Sequence, residues 1–174
     1  MNTYAKAETL TGALLAPLDW ARSLALVVAF SLLTALAAQV AVPLPFTPVP
    51  VTLQTFAVLL TGALLGSRLG ALALILYLFE GACGLPFFSF GRGGLAYLLL
   101  APTSGYLLSY PLAAFLTGWL AEHGWDRRFV TAAAAMALGS LVILAGGFAG
   151  LLRFMSPVLP SGWALLRRTG ARRH

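Results

Sequence analysis

From Val42 to Phe56 the chain reads V-P-L-P-F-T-P-V-P-V-T-L-Q-T-F, with Pro43, Pro45, Pro48 and Pro50 inside one short stretch. Each proline lacks an N–H and holds φ near −65°, and each pushes the residue before it out of the α region. The stretch is therefore expected to be a stiff, extended loop. Thr52, Gln54 and Thr55 follow at the mouth of an apolar run. Polar side chains there need partners, from the protein or from a ligand. The segment reads as the lid and first wall of a small-molecule pocket on one side of a membrane, with the rest of the chain as its holder.

The flanks carry this reading outward. Of 174 residues, 60% are hydrophobic and 9% charged, and the mean hydropathy is +0.90. Those values lie outside the range of soluble domains and indicate a polytopic membrane protein. No charge occurs from residue 23 to residue 67, enough for two crossings if the prolines break the run. Asp19 and Arg22 follow only a weak apolar patch, so the N-terminus is expected to be retained rather than cleaved. Residues 1–18 read as a cytoplasmic lead, 19–152 as a transmembrane bundle and 153–174 as an atypical basic end.

Residues 23–41 make about 28 Å of helix, capped by Asp19. Ala21, Ala25 and Ala29 form a small-residue strip along which another helix can approach, although alanine is also simply common in membrane helices. Gln39 is expected to face the pocket or the headgroups. The chain returns over 51–65, turns near Arg68, and leaves again over 69–85. Gly62, Gly66 and Gly70 across that turn serve either a packing face or backbone demand, with the turn preferred. Glu80 is an ionisable group at membrane depth, either functional or wetted near the headgroups.

A second irregular region spans 86–102, with Phe87, Phe88 and Phe90, then Gly91, Arg92, Gly93 and Gly94. It reads as the opposite pocket wall, with flat aromatic surfaces and glycines that let backbone approach a ligand. Residues 106–121 and 129–152 are the fourth and fifth spans, joined by a basic, cytoplasmic loop that holds Arg127 and Arg128. Neither a Walker sequence nor a His/Cys cluster occurs, so neither an ATP site nor a metal is expected. The net charge of +6 reflects basic loops between spans rather than a nucleic-acid partner. After residue 152 too little chain remains for a proline-free crossing. Either the basic tail lies outside, against the positive-inside rule, or the fifth helix is not a simple span, or, the favoured reading, the ending R-R-T-G-A-R-R-H is a frameshifted or truncated end.

Several motifs in order carry a family resemblance: Pro43-Leu44-Pro45-Phe46 with Pro48 to Thr55, Gly62 to Gly70, Gly84-Leu85-Pro86, Gly91-x-Gly93-Gly94, and Pro102-Thr103-x-Gly105-Tyr106. This pattern resembles BioY, the biotin-binding S component of energy-coupling factor (ECF) transporters. The resemblance implies an all-α integral membrane bundle of six transmembrane helices in the prokaryotic cell membrane, and a transporter subunit rather than an enzyme. It also implies a loop between the first two spans that closes over biotin. Partners would be the ECF transmembrane coupling protein, docked on Ala21, Ala25 and Ala29, two ATPase subunits, and membrane lipid. The ligand is transported, and no cofactor is implied. The family's sixth helix opens with a P-G-D-x-x-K type sequence; Pro160 to Arg167 here lacks that Asp and Lys.

Biotin has a ureido ring that donates and accepts hydrogen bonds, an apolar thiophane and chain, and a carboxylate. Thr52, Gln54, Thr103 and Tyr106 are expected to satisfy the ureido ring or the lid backbone. Phe46, Phe87, Phe88 and Tyr97 are expected to form walls, with Arg92 as the carboxylate's partner. Two other readings stay open at this point: a lipid-modifying membrane enzyme using Glu80 as acid or base, and a purely structural membrane subunit.

Overall fold

The computed structural model describes residues 20–43, 45 and 49–155. The lead at 1–18, Phe46 of the proline stretch, and residues 156–174 with the altered sixth-helix sequence lie outside the described residues. Helix α1 covers Trp20–Gln39, strands β1 and β2 cover Ala41–Val42 and Val51–Thr52, and α2 covers Gln54–Ala82. Then come α3 (Leu95–Leu100), α4 (Ser104–Glu122) and α5 (Phe129–Met155), with short 3₁₀ turns at Ser89–Gly91 and Trp125–Arg127. Among the described helices α1, α2 and α5 are long and apolar enough to cross a membrane.

Helix α2 does not cross as one rod. Gln54 and Tyr77 would stand about 34 Å apart along a straight helix, yet the Gln54 amide donates to the Tyr77 hydroxyl at 2.8 Å. The reversal is at Gly66, whose φ of 83° and ψ of 179° suit only glycine. The expected spans 51–65 and 69–85 are thus two arms of a hairpin, 54–65 and 67–82. The first arm starts later than expected because Val51 and Thr52 pair with Val42 and Ala41 as an antiparallel ribbon. The second ends earlier, where Gly84 takes a φ of 102°. Both readings of the glycine series hold: Gly66 makes the turn, and a Cβ on Gly70 would come within 3.0 Å of the Gly62 Cα.

Helix α4 lies against both arms, and a Cβ on Gly62 would fall 2.3 Å from the Ala114 carbonyl oxygen. At the hairpin tip the Glu122 carboxylate accepts from the Ser67 backbone N–H at 2.7 Å and from its hydroxyl at 2.9 Å. That places an anion at the N-terminus of the second arm, where the helix dipole favours it. Gly146 and Gly150 of α5 meet Gly105 of α4 backbone to backbone, the close approach their spacing permits.

Large apolar side chains such as Leu36, Phe56, Phe79, Leu112, Leu141 and Phe148 face outward. Small polar ones are turned in. Thr34, Thr61 and Thr117 are fully or almost fully buried, and each hydroxyl donates to the carbonyl four residues back, on Phe30, Ala57 and Ala113. Every buried side-chain N or O atom among the described residues has a partner. This is the arrangement a hydrocarbon surround demands. Arg22, Arg68, Arg127 and Arg128, all exposed, lie at the hairpin-tip end of the bundle.

Candidate functional site

At the end opposite the tip a cavity of about 440 Å³ opens between the proline stretch and the region after α2. Val49, Pro50, Val51 and Thr52 form one side, and Phe88 and Ser89 the other. Gln54 and Thr55 from the start of α2, Tyr97 from α3, Thr103, Tyr106, Leu107 and Tyr110 on or beside α4, and Leu144 from α5 complete the lining.

The aromatic wall is a column. Tyr77 meets Phe88 edge-on, with ring centres 5.7 Å apart, and Phe88 stacks on Tyr97 at 5.6 Å. The Arg92 guanidinium carbon then lies 5.7 Å from the Tyr97 ring centre, at cation–π range. The Tyr97 hydroxyl accepts from Thr103 at 3.4 Å, and Thr55 and Tyr110 both line the cavity. Tyr106 lies over Gly147 of α5, where a Cβ would come 2.1 Å from the ring.

The turn from Pro86 to Arg92 is held from outside itself. Phe90 has a φ of 63°, costly for any residue other than glycine. The Phe88 N–H donates to the Arg92 carbonyl at 2.8 Å. Gln39, at the end of α1, donates to the Pro86 and Phe88 carbonyls at 3.2 and 3.4 Å and accepts from the Gly91 N–H at 3.1 Å. The glycines at 91, 93 and 94 shape the turn and do not line the cavity. A Cβ on Gly93, for example, would strike the Leu85 carbonyl at 2.2 Å.

Of the residues expected from sequence, Thr52, Gln54, Phe88, Tyr97, Thr103 and Tyr106 come together around this space. Phe87 lies behind it, packed on the core, with its carbonyl accepting from the Tyr77 hydroxyl at 3.1 Å. Arg92 is exposed, one ring away from the cavity through Tyr97. Glu80 is outside the lining and accepts a hydrogen bond from Ser31 of α1. Ala21, Ala25 and Ala29 share the exposed side of α1. Tyr110, Ser89 and Leu144 had no sequence signal. Thr55 was visible as a polar group, but nothing in the sequence placed it opposite Tyr110. Among the described residues no group of three His, Cys, Asp or Glu side chains could hold a metal.

Comparison with known proteins gives a consistent result. The BioY family model matches residues 5–167. The chain is 39% identical over 136 residues to the probable biotin transporter BioY of Pyrococcus horikoshii, covering 78% of this chain and 77% of the relative. It is 40% identical over 109 residues to the biotin transporter BioY of Rhizobium etli, covering 59% of this chain and 58% of that one. Among solved structures, the crystal structure of the S-component for biotin from an ECF-type ABC transporter aligns with a TM-score of 0.70 at 24% identity. That alignment covers 79% of this chain and 75% of the other, and it establishes a shared fold.

Proposed function

Since the chain belongs to the BioY family, we propose that it is the membrane subunit that captures biotin for uptake through an ECF-type ABC transporter. The observation that carries this reading is that the proline stretch and the aromatic turn border one cavity. Its volume, about 440 Å³, lies within the range of small-molecule sites. The enzyme reading through Glu80 gives way to a transport role, and Glu80 serves instead as a contact between α1 and the hairpin.

The cavity is suited to biotin in parts. Thr52, Thr55, Thr103, Tyr106 and Tyr110 supply hydroxyls for the ureido ring, together with what Gln54 retains beyond its bond to Tyr77. Phe88 and Tyr97 supply the flat walls for the thiophane and chain. Arg92, one ring beyond the lining, would reach past Tyr97 as the carboxylate's partner. By the positive-inside rule the end with Arg22, Arg68, Arg127 and Arg128 is cytoplasmic, so the cavity opens outward from the plasma membrane. The exposed Ala21, Ala25 and Ala29 strip offers the coupling protein a helix it can approach closely, and two ATPase subunits complete the transporter.

Biotin added to the purified protein is expected to raise its unfolding temperature in a concentration-dependent way, as any ligand of the folded state must. Lipids and unrelated vitamins are expected to leave it unchanged. A shift with lipid alone, or no shift with any ligand, removes the biotin reading and leaves a structural subunit. Arg92→Ala is expected to weaken biotin about tenfold, the scale of one charge-assisted contact from an exposed side chain, and biotin amide hardly at all. Equal losses for the two ligands in calorimetry would take the carboxylate role from Arg92.

A further inference from the structure

We propose that Tyr77, which does not line the cavity, is a positioning residue for ligand binding: its hydroxyl ties the base of the flap to the opposite wall and fixes the distance between them. This rests on the biotin reading above and deepens it. Tyr77 is fully buried, and so, to 1% exposure, is Gln54. The hydroxyl accepts from the Gln54 amide at 2.8 Å and donates its one proton to the Phe87 carbonyl at 3.1 Å. Gln54 follows the flap by two residues, and Phe87 precedes the cavity-facing pair Phe88 and Ser89. One phenol therefore bridges both walls.

Packing alone does not call for that hydroxyl, because a phenylalanine ring would meet Phe88 edge-on equally well. The turn, by contrast, needs support. It holds Phe90 at positive φ and is gripped from its other side by Gln39. Without the Tyr77 hydroxyl, a buried amide and a part-buried carbonyl lose their shared partner. The wall then samples positions that do not fit the ligand, and apparent affinity falls by the fraction of time it is misplaced.

Tyr77→Phe in the full-length, detergent-solubilised protein tests this. Affinity is expected to fall about tenfold, equally for biotin and biotin amide, because the hydroxyl does not touch the carboxylate's partner. Backbone amides of residues 86–94 are expected to exchange hydrogen faster in the ligand-free variant than in the parent. Gln54→Met combined with Tyr77→Phe is expected to bind no more weakly than Gln54→Met alone. A variant that only melts lower, with affinity and turn exchange unchanged, overturns the proposal in favour of plain packing. If the parent protein itself fails to bind biotin, the ligand reading falls, and the exchange of the turn still decides the role of Tyr77.

Discussion

Gly147→Val is expected to reduce biotin affinity by at least a hundredfold, about 3 kcal/mol, in a protein that still folds. A Cβ at Gly147 would sit 2.1 Å from the Tyr106 ring, well inside contact distance. The ring cannot retreat along its helix, because Gly105 next to it already meets the α5 backbone at Gly146 and Gly150. The open direction is the cavity that Tyr106 lines. The added methyls thus turn a wall into a plug. Calorimetry reads the loss, and unchanged elution on size exclusion shows that the bundle survives. Shortening the displaced ring should return space, so Tyr106→Ala in the Gly147→Val background is expected to recover part of the binding. Affinity within threefold of the parent for Gly147→Val would mean that Tyr106 does not bound the ligand.

Gly62→Leu is expected to prevent folding altogether. Its Cβ would meet the Ala114 carbonyl oxygen at 2.3 Å and the Ala114 Cα at 2.9 Å, both backbone atoms of a packed helix. Gly70 of the second arm closes the other side. Both neighbours present backbone atoms at this position, and neither has a rotamer to change. Overpacking of a rigid core usually costs about 1–3 kcal/mol; here backbone must separate from backbone on two sides, and the cost exceeds what a marginally stable domain can lose. The neighbouring Ala63→Leu, at a half-buried site, is the control and should fold. Monodisperse, thermally stable Gly62→Leu protein would refute the close three-way packing.

The same contacts explain what the sequence could and could not convey. Uncharged runs and a dense set of prolines are local signals, and they marked where the helices break; the first arm nonetheless starts at Gln54 rather than Val51, because Val51 and Thr52 pair as a strand. The reversal inside α2 was legible because glycine and arginine mark it. Which of two adjacent phenylalanines faces the cavity was not legible. Phe87 and Phe88 sit in a turn without helical or strand periodicity, so no pattern separates the buried ring of Phe88 from the ring of Phe87 behind it. Tyr77 and Tyr110 fall in apolar helical runs, where an aromatic at helical spacing reads as core. Gln54 bonds the Tyr77 hydroxyl across the hairpin, while Thr55 and Tyr110 face the same cavity from two helices, relations only the fold creates. Gln39 was expected at the pocket or the headgroups; it instead grips the carbonyls of the turn, a role that depends on where residue 86 returns.

The first arm of the hairpin, 54–65, is only about 18 Å long, against a hydrocarbon layer of about 30 Å. With the hairpin tip at one face of that layer, Gln54 would stand about 12 Å short of the other, and the chamber beside it would be a well rather than a surface dish. On the biotin reading, a vitamin resting there would have shed its water and crossed part of the barrier. Release on the far side would then require exposing a site about 18 Å from that face, a step that thinner bilayers should ease.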